Sequence, residues 1–319
     1  MEYNGIYRES PRYITKGDEL ILSMTPNKRV TVPWVIDSKG EHRKLSMLTA
    51  YDYLTASLLD EAGIDILLVG DSMGNVIQGK TSTIPVTLEQ MIYHTEIVSR
   101  STQRALVIGD MPFGTYSNVR DAVTNAIRLM KDGGCQAIKL EGGKRVLNQV
   151  RAIINSEIPV MGHLGLTPQS EHKFGGHKVQ ARSEYAVQRL VSDALALEEA
   201  GVFAIVLEGI PTEAAQRVTE ALKIPTIGIG AGVYCDGQVL VTHDMLGMTD
   251  FTGRFVKQFA VLREQILSAV KQYKDEVEHG QFPTPQYSYE LEIEDRDKAD
   301  ILDAMKDYKE LDREPIDEF

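Results

Sequence analysis

The chain has 319 residues, of which 43% are hydrophobic and 25% are charged, a composition typical of a globular protein with a sizeable core. Its formal net charge of -12 disfavours wide contact with nucleic-acid phosphates, which depends on clustered Lys and Arg. Only two cysteines occur, and we find neither an export signal nor an apolar run of about 18 residues. We therefore expect a cytoplasmic protein that acts on small molecules, with neither nucleic acid nor a membrane as a partner.

Eight short apolar runs follow one another from Leu45, each ending at a polar residue or a glycine, and most precede a stretch of helical character. They are LSMLTAYD (45–52), IDILLVGDS (64–72), ALVIGD (105–110), QAIKLEGG (136–143), IPVMGH (158–163), AIVLEG (204–209), IPTIGIGAG (224–232) and QVLVTHD (238–244). Continuous apolar runs suit parallel strands that are covered on both faces. Eight alternating units predict the α/β class and a closed (β/α)8 TIM barrel.

Three segments between these runs carry helix signals. Thr87 to Ser101 and Asn118 to Lys131 begin at residues that cap helices, and Ser183 to Ala200 has apolar residues at helical spacing before Gly201. The segment 231–237, between the last two runs, is too short for a helix. Either one βα unit is abbreviated or the count of eight is off by one.

Two connections, 73–86 and 164–182, are longer than packing requires and rich in Gly, Thr, Ser and Pro. Long loops after barrel strands are often functional lids, so we predict that these two cover the site. The alternative is that they are mobile excursions at the surface.

The chain is predicted to be a single barrel domain with an extension at each end. Residues 1–43 form an N-terminal extension, 44–279 the barrel with a last helix over 252–278, and 280–319 a linker and an acidic tail. From residue 290 onward the tail has 13 acidic and 5 basic residues. Its apolar residues fall on one helical stripe, so both a docking helix and disorder remain open.

The carboxyl ends of barrel strands meet at one face, so polar residues there converge in space. The strand ends supply Asp52, Asp71, Ser72, Asp110, Lys139, Glu141, His163, Glu208, His243 and Asp244. Taken singly, an Asp at such a position often only caps a turn, and a His is often a satisfied core residue. The presence of Lys139 and Glu141 in one strand needs a stronger explanation, because their spacing of two places both charged side chains on the same side, in the barrel interior.

Three of these residues form an acidic group on successive strands. Asp71, Asp110 and Glu141 end the second, third and fourth runs, where their charges repel unless a cation lies between them. Oxygen ligands select hard ions, so we predict a Mg²⁺ site at Asp71, Asp110 and Glu141. Such an ion would act as a Lewis acid on a 2-oxo acid. Glu208, across the barrel, is the predicted base that enolises it, and Lys139 would neutralise the substrate carboxylate or the enolate.

The motifs at these positions resemble those of the ketopantoate hydroxymethyltransferase family. The matching stretches run in order from about Lys44 to Gly247: LTAYDY, LLVGDSMGNVIQG, TIPVTLEQMIYHT, DMPF, KLEGG, GHLGLTPQS, FGGHKVQ, IGIGAG and DGQVLVTHDMLG. The segments before residue 44 and after about Tyr287 extend past the usual limits of the family.

The resemblance implies a (β/α)8 barrel that converts 3-methyl-2-oxobutanoate, with 5,10-methylenetetrahydrofolate and water, into 2-dehydropantoate and tetrahydrofolate, an early step in pantothenate biosynthesis. It implies a homo-oligomer, often a decamer. The site residues would be Asp71 and Asp110 on Mg²⁺ and the oxo acid, and Glu141 as a further metal-site carboxylate. Ser72, Lys139 and His163 would contact substrate, and Glu208 would accept the proton.

Two other functions compete with this interpretation. One is a Mg²⁺-dependent carbon–carbon lyase of the isocitrate-lyase or phosphoenolpyruvate-mutase type, which typically carries a catalytic cysteine in a lid. Neither long loop of this chain has a cysteine. The other is a non-catalytic barrel that binds oxo acids. The full set of chemically useful residues argues against this second alternative.

Overall fold

A computed structural model describes residues 28–289 of the chain. Its eight strands are β1 Leu45–Thr49, β2 Ile66–Val69, β3 Leu106–Asp110, β4 Ala137–Glu141, β5 Val160–Gly165, β6 Ala204–Glu208, β7 Thr226–Ile229 and β8 Gly237–Leu240. All pair in parallel, in chain order, and β8 closes onto β1. The predicted (β/α)8 barrel is confirmed, and each strand lies within or beside its predicted run.

The helices are α1 Val32–Gly40, α2 Tyr53–Glu61, α3 Met73–Val76, α4 Leu88–Ser101, α5 Val119–Lys131, α6 Leu147–Ile154, α7 Glu171–Phe174, α8 Glu184–Glu199, α9 Thr212–Ala221, α10 Thr242–Met245 and α11 Leu262–Glu278. Short 3-10 turns cover Lys144–Val146, Pro168–Ser170 and Pro285–Tyr287. No helix within residues 28–289 is long and apolar enough to cross a membrane.

The predicted helix starts agree with the structure. Thr87 forms a complete capping box with Gln90, while Asn118 and Ser183 each accept a backbone N–H in the first turn. No helix separates β7 from β8. The count of eight units was therefore correct, and the last connection is the abbreviated one.

The last helix begins later than the sequence pattern suggested. The prediction of a helix over 252–278 is wrong for its first ten residues, because α11 starts at Leu262. A turn precedes it, in which the Val256 N–H donates to the carbonyl of Gly253 at 2.8 Å. A Cβ on Gly253 would lie 2.6 Å from the Phe251 ring, so a larger residue there would displace that side chain.

The described residues divide into two compact units. The first contains the barrel, from residue 28 to Met245 with Thr249–Lys257, and the second contains Leu246–Met248 and the residues from Gln258 onward. In the second unit, Phe282 packs between the rings of Tyr273 and Tyr287. The domain limits at 43/44 and 279/280 stay predictions, and the acidic tail from residue 290 lies outside the described residues.

Side chains alternate between two cores on either side of the barrel wall. Outward positions pack against the helices in one large apolar cluster. Inward positions form a second cluster, which includes Val35 of α1 together with Met47, Ile66, Ile108 and Met161. Because the side-chain period of a strand is two, the same inward rows continue upward to the carboxyl ends, where the site lies.

Candidate active site

The inward-facing rows of four strands change from apolar to charged at the carboxyl end of the barrel. Ile108 is followed by Asp110, Ala137 by Lys139 and Glu141, Met161 by His163, and Val206 by Glu208. The charged residues of these rows line one cavity of about 560 Å³, together with Asp71 and Ser72 from the loop after β2. The cavity contains all seven residues that were given a site role from the sequence, together with Asp244. Of the other two residues at strand ends, Asp52 caps α2 and His243 is not among the lining residues.

Lys139 lies between two carboxylates. Its Nζ is 2.7 Å from Asp110 Oδ2 and 3.8 Å from Glu141 Oε1, and all three side chains are buried. Burial opposes the charge of Lys139, but Asp110, Glu141 and Asp71 outweigh it and hold the pKa of the ammonium above its usual range. Lys139 is therefore a fixed positive charge on the floor of the cavity.

Asp71 and Asp110 are buried neighbours, and the backbone N–H of Asp71 donates to Asp110 Oδ2 at 3.3 Å. Burial, then the charges of Asp110 and Glu141, raise the pKa of Asp71 to about 8. Burial also raises the pKa of Asp110, despite its ion pair with Lys139. Asp110 Oδ1 is buried and has no hydrogen-bond partner in the part of the chain described. An added cation at this pair would relieve the repulsion and satisfy that oxygen.

The metal site predicted at Asp71, Asp110 and Glu141 stays a prediction. No three Asp, Glu, His or Cys side chains among residues 28–289 converge as a ready-made metal site. Glu141 is instead occupied by protein groups, because its Oε2 accepts the backbone N–H of Gln169 at 3.1 Å and its Oε1 faces Lys139 and His163. The arrangement suits an ion held by two carboxylates, with substrate and water completing the shell, as Mg²⁺ commonly is.

His163 lies between Glu141 and Glu208. Its Nδ1 is 3.5 Å from Glu141 Oε1, and its Nε2 is 3.2 Å from Glu208 Oε2. Burial disfavours the imidazolium, but the two carboxylates outweigh it and raise the pKa of His163 to about 9. The side chain of Glu208 is 17% exposed, against 1% for Glu141. Of the two carboxylates, Glu208 is thus the one open to a bound molecule.

The positions of β5 and β6 depend on one glycine. Gly165 has a φ of 92°, and a Cβ there would lie 2.3 Å from the carbonyl oxygen of Glu208. Only glycine allows the two strand ends to meet this closely. The GHLG stretch therefore fixes the location of Glu208 as well as that of His163.

Comparison with known proteins assigns the chain to a family. Residues 29–285 match the family described as ketopantoate hydroxymethyltransferase. The chain belongs to this family. A relative from Syntrophomonas wolfei, named 3-methyl-2-oxobutanoate hydroxymethyltransferase, is 53% identical over 87% of this chain and 99% of its own. One of the same name from Moorella thermoacetica is 53% identical over 83% of this chain and 100% of its own.

One solved structure with similar architecture belongs to a more distant protein. The crystal structure of 2,3-dimethylmalate lyase, a PEP mutase/isocitrate lyase superfamily member, has a TM-score of 0.53 and 15% identity, over 86% of this chain and 98% of that one. At this identity the likeness shows the barrel fold only. The closer relatives, and not this one, place the chain in the ketopantoate hydroxymethyltransferase family.

The two long loops of this family member meet above the cavity. Ser82, in the loop after β2, donates a 2.5 Å hydrogen bond to Glu171 Oε1, in the loop after β5. His177 Nε2 is 3.5 Å from the other oxygen of the same carboxylate. Residues from both loops, among them Asn75 and His177, line the cavity, as expected of lids.

Gln169 is a buried residue of the site that sequence reasoning missed. Its Nε2 donates to Asp71 Oδ2 at 2.9 Å and to the carbonyl of Met111 at 3.0 Å, and its Oε1 accepts the Tyr116 hydroxyl. Together with its N–H bond to Glu141, these contacts join two acidic residues of the cavity. The GHLGLTPQS stretch contains Gln169, but nothing in its spacing reveals these partners.

We expect Gln169→Leu to lower kcat/KM by about 10- to 100-fold, the usual cost of removing a group that orients a ligating carboxylate. The protein should stay folded, because Leu fills a similar volume. Steady-state kinetics with and without excess Mg²⁺ measure the effect, and Gln188→Leu on the exposed face of α8 is the control. Unchanged kinetics in the Gln169 variant would show that Asp71 does not need this contact.

Proposed function

We propose that this protein is a 3-methyl-2-oxobutanoate hydroxymethyltransferase. It would use 5,10-methylenetetrahydrofolate and water to convert 3-methyl-2-oxobutanoate into 2-dehydropantoate and tetrahydrofolate. One observation carries the proposal beyond the family match. Asp110 Oδ1 is buried in the cavity and has no hydrogen-bond partner among the described residues, whereas Glu141 Oε1 and the ring nitrogens of His163, which also lack one, lie 3.2 to 3.8 Å from each other, Lys139 or Glu208. Buried polar atoms are normally paired, so Asp110 Oδ1 indicates where a polar ligand binds.

The site residues fit a divalent metal ion held by Asp71 and Asp110. The oxygen donors favour Mg²⁺, and burial raises the pKa of both carboxyls, with neighbouring carboxylates adding to the effect. When bound, the ion would supply Lewis-acid polarisation of the 2-oxo group. We assign Glu141 to orienting Lys139 and His163, although its role as a further metal-site carboxylate remains a prediction.

The protein groups can then perform the proton transfer. Glu208 accepts the proton from C3 of the oxo acid, and His163, 3.2 Å away, orients its carboxylate and stabilises its charge. Lys139 forms an ion pair with the substrate carboxylate, because its ammonium is held in the cavity by Asp110 and Glu141. The hydroxyl groups of Ser72 and Tyr51 form a hydrogen bond of 2.8 Å. Ser72 would also contact the substrate in this cavity. Water would release the one-carbon unit from the two folate nitrogens as formaldehyde, which leaves tetrahydrofolate. The enolate carbon then bonds to the formaldehyde carbon, and the oxygen takes the proton from Glu208 to give the hydroxymethyl group of 2-dehydropantoate.

The position of the cysteines disfavours the lyase alternative. Cys135 and Cys235 are buried and precede β4 and β8, at the ends of these strands opposite to the site. Burial raises the pKa of the Cys135 thiol to about 12, so it is a poor nucleophile. Neither can act as the lid cysteine typical of isocitrate-lyase-type enzymes.

A direct assay tests the proposed function. Purified protein with Mg²⁺, 3-methyl-2-oxobutanoate and 5,10-methylenetetrahydrofolate should form 2-dehydropantoate, detected by mass spectrometry. Omitting the folate should stop product formation but leave deuterium exchange at C3. If no product forms while 2,3-dimethylmalate is cleaved, the lyase alternative is correct. Oxo-acid binding with neither product nor exchange would favour the non-catalytic barrel.

A further inference from the structure

A second cavity of about 580 Å³ lies beside the first, at the carboxyl end of the barrel. Its walls are the loop after β4, the end of β5 with the loop that follows, and the first half of α8. None of the residues that line it was predicted as a site residue from the sequence. The folate of the proposed reaction is a large second substrate, and its non-reacting part needs a binding surface outside the residues assigned to the oxo acid and the ion.

The two cavities share one wall. Neighbouring residues of the chain face alternately into one and the other: Glu141 lines the first cavity and Gly142 the second, and His163 and Leu164 repeat the pattern. Farther along, Leu166 lines the first and Thr167 the second. The two cavities are therefore separated by the ends of β4 and β5 and the loop after β5.

The second cavity is basic, although the chain as a whole carries a net charge of -12. Lys144, Arg145, Lys173 and Arg189 line it, and among the described residues its only acidic lining residue is Asp193. The Asp193 carboxylate is already engaged by the protein, because its Oδ1 accepts the backbone N–H of Lys144 at 3.1 Å. Four cations against one carboxylate make a surface that attracts anions.

Two of these cations have no acidic partner within residues 28–289. The guanidinium of Arg189 lies 6.0 Å from the ring centre of Tyr185, which is 71% exposed, and it forms no ion pair. Lys173, on α7, is exposed, lines only the second of the two cavities and has no salt bridge among the described residues. Unpaired cations next to an exposed aromatic ring suit a ligand that combines a flat apolar group with carboxylates.

We propose that this second cavity binds the glutamyl tail of the folate co-substrate while its one-carbon end enters the first cavity. The inference rests on the proposed function, because only a folate-dependent reaction brings such a tail to the rim. The aminobenzoyl ring would pack near Tyr185, and the glutamyl carboxylates would pair with Lys173 and Arg189. Folates with several γ-linked glutamates should therefore bind more tightly than the monoglutamate.

The test compares two folates on two double variants. For the natural sequence, we expect KM for 5,10-methylenetetrahydrofolate triglutamate to be about 5- to 10-fold below that for the monoglutamate, since each exposed charge pair contributes a few-fold. In Lys173→Gln/Arg189→Gln this advantage should disappear, while KM for the oxo acid and folate-independent C3 exchange stay unchanged. Added salt should reduce the advantage in the natural sequence.

Lys131→Gln/Arg151→Gln is the matched control. It removes the same charge from the last turns of α5 and α6, at the opposite end of the barrel, and should keep the full preference. Equal KM values for the two folates, or a preference that survives Lys173→Gln/Arg189→Gln, would overturn the tail site while leaving the proposed function intact. Absence of hydroxymethyl transfer with either folate would instead contradict the proposed function itself.

Discussion

Glu208→Gln is expected to abolish deuterium exchange at C3 of 3-methyl-2-oxobutanoate and to lower kcat by about 100- to 10,000-fold, the usual contribution of a general base. The amide has the same shape as the carboxylate but cannot accept the proton. Its oxygen can still face His163, which lies 3.2 Å from the present carboxylate, so the cavity should keep its form. Binding of Mg²⁺ and of the oxo acid, measured by calorimetry, should be nearly unchanged.

The control for this substitution is Glu213→Gln, which neutralises an exposed carboxylate in the first turn of α9. It should leave exchange and turnover at the level of the natural sequence. Full exchange in Glu208→Gln would show that another group removes the proton. Loss of oxo-acid binding along with exchange would mean that Glu208 holds the substrate rather than deprotonating it.

The barrel and the residues at its mouth were predictable because both follow from local rules. A parallel strand covered on both faces needs an apolar run, and a charged residue at the end of such a run lies at the common carboxyl face. Lys139 and Glu141 illustrate this, since their spacing of two places both on the inner wall. No knowledge of distant contacts was needed for either conclusion.

The finer arrangement of the site was not predictable, because it depends on contacts between distant parts of the chain. Gln169 lies 98 positions from Asp71, to which it donates, and 28 from Glu141. The sequence grouped three carboxylates by charge and strand order alone. It could not reveal that Glu141 accepts the N–H of Gln169 and faces Lys139 and His163, the contacts on which the proposal of Asp71 and Asp110 as ion ligands rests.

Asp71→Asn is expected to lower turnover by roughly 1,000-fold, because Lewis-acid stabilisation of several kcal/mol depends on the ion it helps to hold. The same substitution should stabilise the metal-free protein near neutral pH. In the folded chain burial and two neighbouring carboxylates raise the pKa of Asp71 to about 8, well above the value of an unfolded aspartate. Its ionisation therefore favours unfolding, and stability falls as pH rises from about 4 to 8. Asparagine removes that penalty.

Thermal unfolding measured in EDTA and in Mg²⁺ separates these two effects. With Mg²⁺ at 100 times its Kd, the natural sequence should gain about 2.7 kcal/mol, or about 5 to 10 °C in Tm, and Asp71→Asn should gain almost nothing. Asp37→Asn, which changes an exposed carboxylate on α1, should respond to Mg²⁺ like the natural sequence. If Asp71→Asn keeps the full Mg²⁺ effect, Asp71 is not a ligand. If it is less stable than the natural sequence in EDTA at pH 7, the combined cost of burying the Asp71 charge and placing it near two carboxylates is smaller than the stabilisation from its hydrogen bond with Gln169.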